Sequence, residues 1–135
     1  MHQSALPSPD LFWETITAFQ RSAALKAAIE LEVFTKIAEG NKTVSEIARA
    51  SGARQERGVR ILCDAMTVMG FLKKDGESYD MTEMSAFFLD RRSPAYLGGA
   101  VDFILSPPQK RGFEDLTEAV RRGGATVTGS GDGSL

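Results

Sequence analysis

The stretch from Thr43 to Met81, TVSEIARASGARQERGVRILCDAMTVMGFLKKDGESYDM, decides how this chain folds. Thr43 followed by Glu46 three positions on is a capping box, in which side chain and backbone satisfy each other's free groups at a helix start. The short helix it opens turns Val44, Ile47 and Ala48 inward, and Gly52 closes it. A longer helix is predicted from Arg54 to Met69. Val59, Leu62, Met66 and Met69 face inward on it, Arg57, Arg60, Asp64 and Thr67 mostly outward, and Gly70 stops it. Phe71 to Lys74, then Asp75-Gly76, then Glu77 to Met81 reads as strand, tight turn and strand, because Asp-Gly between such runs is a strong hairpin signal. Helix, turn, helix and hairpin in this order is a winged helix.

Outward from this centre the chain stays helical. Towards the N-terminus, Met1 to Pro9 is a tail and Pro9-Asp10 opens a helix. Phe12, Ile16, Phe19 and Ala23 follow at spacings of four, three and four, one apolar stripe. The run continues through Ala24, Ala27, Ala28, Leu31 and Phe34 to Ile37, with a break expected near Arg21-Ser22 and an end at Gly40-Asn41. It is apolar on more than one face. A surface helix needs one apolar face, so the excess calls for a cover, and in so small a chain that cover is expected to be a second copy.

Towards the C-terminus, Thr82 caps a predicted helix through Met84, Phe87, Phe88 and Leu89. Ser93-Pro94 is expected to open another, through Tyr96, Leu97, Phe103 and Leu105, which Ser106-Pro107-Pro108 breaks. A last helix is predicted over about Gln109 to Arg122, with Phe113, Leu116 and Val120 inward and Glu118 paired to Arg122. From Gly123 to Leu135 the chain thins into Gly, Ser and Thr and is read as a flexible tail, the start of a linker towards a further domain. The expected fold class is therefore mainly α: a winged helix-turn-helix with a small two-stranded wing, plus flanking dimerisation helices, within one domain over residues 10–122.

Composition narrows the function. The formal net charge is -2, and from Lys42 to Arg92 nine basic residues stand against eight acidic ones, so no nucleic-acid partner is expected. One cysteine, Cys63, and one histidine, His2, make a Cys/His metal site or an internal disulfide untenable. No apolar run approaches a membrane span and no signal peptide opens the chain, so no membrane partner is expected and the chain is read as cytoplasmic. Met66, Met69, Met81 and Met84 are read as flexible core filling, and Cys63 as a small buried hydrophobe.

Several stretches resemble the class I, S-adenosylmethionine-dependent O-methyltransferases. Ala27-Ala28-Ile29-Glu30-Leu31-Glu32-Val33-Phe34 with Ile37 is similar to that family's A-x-E-L-x-[IV]-F-D-x-L helix. Thr43-Val44-Ser45-Glu46-Ile47-Ala48 resembles its T-x-x-E-[IL]-A helix. Arg60-Ile61-Leu62 through Val68-Met69-Gly70-Phe71-Leu72 resembles the helix that leads into its wing. Tyr79-Asp80-Met81-Thr82 matches Y-x-[LM]-T, and Ser93-Pro94 sits where the family starts its next helix. The resemblance runs from about Asp10 to Arg122 and is carried by order and spacing rather than by any one motif. It implies the half that dimerises through interlocking helices and closes over the acceptor pocket. It also implies, for a full-length parent, a Rossmann-like half that holds S-adenosylmethionine and the catalytic base. No counterpart of that half follows here. Gly129-Ser130-Gly131-Asp132-Gly133 is rejected as its cofactor loop, because no buried strand or acidic residue precedes it and no helix follows it. His2 does not match the family's base. No catalytic residue, cofactor site or metal site is therefore assigned to this chain, and the chain alone is expected to be inactive.

On this reading the candidate dimer interface is Leu11, Phe12, Ile16, Phe19, Ala23, Ala27 and Leu31. Candidate pocket residues are Phe12 and Trp13, reaching across a dimer, with Phe103, Ile104 and Phe113 as a roof. The bland reading of each is ordinary packing. The expected acceptor of the parent is a small aromatic hydroxyl compound. The alternative is a stand-alone winged-helix regulator reading DNA through Arg54, Arg57, Arg60, Lys73 and Lys74. Against it, Glu56, Asp64, Asp75, Glu77 and Asp80 sit among those groups. A third reading is a binding-only protein that keeps the cap. Asp102 either faces water or offers substrate a polar contact.

Overall fold

A computed structural model of the chain describes residues 6–124. The described helices and strands run α1 (Asp10–Ile16), α2 (Ala18–Glu30), α3 (Val33–Ala38), α4 (Val44–Ser51), α5 (Glu56–Met69), β1 (Leu72–Asp75), β2 (Ser78–Met81), α6 (Glu83–Phe88), α7 (Gly99–Ile104), α8 (Pro107–Glu114) and α9 (Leu116–Arg122). The fold is mainly helical with one two-stranded antiparallel sheet. The chain divides into two compact units, Met1–Tyr96 and Leu97–Leu135.

The first unit is built on the winged helix. Thr43 Oγ1 accepts from the Glu46 amide at 3.2 Å, and the Glu46 carboxylate accepts from the amides of Thr43 at 3.2 Å and Lys42 at 2.8 Å. Those two backbone donors hold the Glu46 carboxyl below the usual carboxylate range. Val44, Ile47 and Ala48 are buried as their spacing requires. Ser45 ties α4 to the first residue of α5, its hydroxyl donating to the Glu56 carboxylate at 2.8 Å. The second helix starts at Glu56, two residues later than expected, because Gln55 is still extended. Gly52 and Gly70 end α4 and α5 with φ of 76° and 98°, the left-handed region in which a Cβ is strained. The hairpin pairs Leu72 with Met81 and Asp75 with Ser78. Its two-residue loop is therefore Gly76-Glu77, one position beyond the expected Asp75-Gly76, with the positive φ at Gly76.

The core gathers where these elements meet. Phe34, Ile37, Ile47, Met66 and Tyr79 are almost fully buried, with Val33, Val59, Cys63 and Leu72 around them. Phe34 meets Phe71 edge to face, ring centres 6.3 Å apart. Burial pushes the Cys63 thiol up to about 11, so it stays a neutral apolar group, as expected. Thr82 caps α6, and the buried Ser85 hydroxyl donates to the Phe71 carbonyl at 2.7 Å, fastening α6 to the start of the wing.

Several expectations are corrected. The N-terminal run breaks at Thr17 and again at Leu31-Glu32, not at Arg21-Ser22. The Thr17 hydroxyl donates to the Trp13 carbonyl at 2.7 Å, and Thr15 does the same to Leu11, local bonds that bend helices. Glu32 takes φ 59°, a left-handed conformation costing a non-glycine residue roughly 1–2 kcal/mol. Its neighbours hold it: Arg91 lies 3.5 Å from its carboxylate, and the Arg91 amide donates to the buried Thr35 hydroxyl at 2.9 Å. Ser93-Pro94 opens no helix; Ser93 instead donates to the Phe87 carbonyl at 2.6 Å, and helix resumes only at Gly99. Ser106-Pro107-Pro108 ends the preceding helix as expected, α7 stopping at Ile104, but the prolines also begin α8, and the last helix, expected unbroken over about Gln109 to Arg122, is divided at Asp115 into α8 and α9. Phe113, Leu116 and Val120 are exposed, not inward. Glu118 pairs with Arg121 at 2.8 Å rather than with Arg122. Met84 is exposed rather than core filling.

Candidate functional site

The second unit consists, in its described part, of α7, α8 and α9, none of which buries a residue. Phe103, Ile104 and Phe113, three of the pocket candidates, lie in it with 68%, 61% and 73% of their surface open to solvent. Asp102 beside them is exposed as well.

The other candidate residues lie in the first unit, on α1 and α2. No residue of α1 is buried, though Leu11, Phe12, Trp13 and Ile16 make it largely apolar. Phe12 and Trp13 meet edge to face at 5.1 Å. Phe19 on α2 is 67% exposed, and Ala23 is exposed too. From there α2 turns into the core: Ala27 is half-buried, Ala28 and Ile29 are buried, and Leu31 emerges at the end. The proposed interface thus divides. Leu11, Phe12, Ile16, Phe19 and Ala23 are open, Ala27 already packs within its own protomer, and Leu31 lies at the boundary.

Electrostatics concentrate on the wing. Asp64 accepts from the Tyr79 hydroxyl and from Lys74 Nζ at 2.9 Å, while that ammonium lies 5.1 Å from the Tyr79 ring centre. The Tyr79 hydrogen bond, then Lys74, holds the Asp64 carboxyl below its ordinary range. Burial first, and the bond to Asp64 second, raises the Tyr79 phenol. Arg60 faces Glu77 at 3.5 Å, and Lys42 bonds Asp80 at 2.8 Å. Two of the five groups that a DNA-reading protein would aim at phosphate, Arg60 and Lys74, are therefore engaged by carboxylates. The Tyr79–Asp64–Lys74 cluster has no signal in the sequence, because its members meet only when the wing folds back on α5.

Among the described residues, no group of three or more His, Cys, Asp or Glu is placed to hold a metal ion. Among the described residues no strand leads into a glycine-rich loop at a helix start, and Gly129 to Gly133 lie outside them. No helix of the described part is long and apolar enough to cross a membrane.

A winged helix that closes on itself, carrying helices whose apolar sides stay open, defines an association module. The chain belongs to the O-methyltransferase dimerisation domain family, whose pattern matches residues 13–91. It is 36% identical over 118 residues to the tetracenomycin polyketide synthesis 8-O-methyl transferase of Streptomyces glaucescens, covering 84% of this chain and 33% of that protein. The fold matches a candidate O-methyltransferase from Nostoc punctiforme with a TM-score of 0.87 and 48% identity, over 93% of this chain and 38% of that one. It also matches human N-acetylserotonin methyltransferase, in complex with S-adenosylmethionine, with a TM-score of 0.76 and 28% identity over 91% of this chain and 37% of that one. The chain spans about a third of the length of the curated relatives it matches most fully. The winged-helix regulator is accordingly not the favoured reading.

Proposed function

We propose that this chain is the homodimerising and acceptor-capping part of a small-molecule methyltransferase that works in the cytoplasm. The observation that carries the reading is α1: seven residues with no buried side chain, bearing Leu11, Phe12, Trp13 and Ile16 on the surface and continued by Phe19. Hiding one such side chain contributes roughly 1.5–3 kcal/mol, so a twofold interface that covers several favours association strongly. Leu11, Phe12, Ile16, Phe19, Ala23, Ala27 and Leu31 form the interface. Phe12 and Trp13 in the first unit, and separately Phe103, Ile104 and Phe113 in the second, each offer open apolar surface of the kind that lines an acceptor pocket, which is mostly apolar.

The parent reaction is transfer of a methyl group from S-adenosylmethionine to a hydroxyl of a small aromatic acceptor. Its support is that the Streptomyces glaucescens relative is an 8-O-methyl transferase of polyketide synthesis and that the human structure holds S-adenosylmethionine. Cofactor and base belong to a further domain of the parent. Sedimentation equilibrium at micromolar concentration tests the first claim: a dimer is expected, and a well-folded monomer would overturn it. Calorimetric titration with S-adenosylmethionine tests the division of labour. No binding is expected, and low-micromolar binding would place cofactor contacts in this chain after all.

A further inference from the structure

The outward face of α5 takes no part in the association just described. Opposite its buried line of Val59, Cys63 and Met66, the residues Arg57, Ile61, Asp64 and Val68 follow at spacings of four, three and four, one line along the helix. Ile61 is 54% exposed and Val68 87%. A helix face meant only for water carries polar residues there. The acid in the line is answered within the chain, since Asp64 is bonded by Lys74 and Tyr79, and Arg60 beside it faces Glu77. The basic end differs. Arg49 near the end of α4, Arg54 in the turn and Arg57 in the first turn of α5 make no ion pair among the described residues. Arginine next to open aliphatic surface is the composition of a protein interface.

We propose that this line is a docking surface for an acidic amphipathic helix of another protein. Lying alongside α5 at the usual helix-packing distance of about 8–10 Å, such a helix covers Ile61 and Val68 with its aliphatic side chains. Its carboxylates meet the free guanidinium groups of Arg54 and Arg57, where Arg can engage them in bidentate fashion. Charge chooses the occupant: the uncompensated groups, Arg54 and Arg57, are cationic and lie at one end, and Ile61 and Val68 follow with the paired Asp64 between them. A nucleic-acid backbone fits less well, because half the line is aliphatic and offers phosphate no partner.

The test titrates the isotopically labelled full chain with a synthetic peptide of about 16 residues, long enough to hold some helix in isolation. It carries leucines at i, i+4 and i+7 and glutamates at one end; a control peptide has lysines in place of the glutamates. The glutamate peptide is expected to shift the amide signals of Arg57, Ile61 and Val68, and the lysine peptide is not. Arg57→Glu and Val68→Glu should each weaken binding about tenfold or more, with thermal unfolding unchanged, as loss of a central interface contact does. Equal binding of both peptides, or shifts confined to α1 and α2, would overturn the proposal. So would α5 signals that move with chain concentration alone, which would make a second copy the occupant, or a duplex DNA that binds this line and is lost in Arg57→Glu.

Discussion

Phe19 and Phe34 are both helical, both flanked by apolar neighbours, and both part of the same N-terminal run; yet Phe19 is 67% exposed and Phe34 1%. What separates them is what lies opposite. Phe34 on α3 is enclosed by α4, the wing and Phe71 from its own chain. Phe19 lies before α2 turns inward at Ala28, and no described residue buries it. The contrast extends to whole regions. The winged helix completes its core within one protomer, whereas α1 and the helices after Leu97 hold apolar side chains in the open. In the first region hydrophobicity holds the fold; in the second it is available for association.

The sharpest way to break this comparison is to remove the same side chain from both regions. Phe34→Ala should destabilise the chain by about 3–5 kcal/mol through lost burial and the cavity left behind, read by chemical denaturation. Phe19→Ala, by contrast, should leave the stability of a dilute, dissociated protomer within about 0.5 kcal/mol. A comparable loss in both would mean that Phe19 is packed within the protomer.

Charge placed in the open region gives the next effect. The double variant Leu11→Asp with Phe19→Asp should weaken dimerisation by well over tenfold, since two side chains worth roughly 1.5–3 kcal/mol each are replaced by groups that resist burial. Sedimentation velocity across a dilution series measures it, with circular dichroism to confirm that the helices persist. An unchanged dimer would move the interface away from α1.

A smaller effect probes the closed region at its edge. Thr43→Ala removes the side-chain half of the capping box at the start of α4. The expected cost is about 1 kcal/mol, seen as a lower denaturation midpoint with an unchanged slope. Dimer affinity should not move.

The smallest effect comes from the wing's ion pair, whose side chains remain partly in water. Asp64's carboxyl is held below its ordinary 3.8 by the Tyr79 hydroxyl and then by Lys74. A depressed folded-state value stabilises the fold at pH above 3.8 and is lost as pH falls through the lowered one. Asp64→Asn should therefore show a shallower loss of stability below about pH 4 than the parent. It should not abolish the loss, because Asp90, held down by Arg92, and Asp80, held down by Lys42, titrate in the same direction. Identical acid profiles would remove Asp64 from the account.

Much of the winged helix was legible in the sequence because its signals are local. A capping box, glycines after two helices and an Asp-Gly between strands each act within a few residues, and errors there stayed within two positions, as at Gln55 and Gly76. Outside it the signals misled. The break at Thr17 coincides with its hydroxyl bonding back to the Trp13 carbonyl, a local feature that apolar periodicity does not register. Ser93-Pro94 has the form of a helix start, and the Ser93 hydroxyl does accept from the Ala95 amide at 3.2 Å, yet helix resumes only at Gly99. Phe113, Leu116 and Val120 have helical spacing, and spacing names a face without saying what covers it.

By itself, then, the amino-acid order determined the mainly helical class, the winged-helix sequence of elements, the inward lines of α4 and α5, and the family resemblance. Those follow from propensity, capping and periodicity, which act over one or two turns of chain. Only the tertiary structure decided that Glu32 would be left-handed, held by Arg91 from beyond α6. Only it decided that Tyr79, Asp64 and Lys74 would form one hydrogen-bonded cluster, and that α1 would contribute nothing to the core. Each of these depends on groups far apart in sequence arriving at one place, and an apolar residue becomes core or interface according to what arrives opposite it.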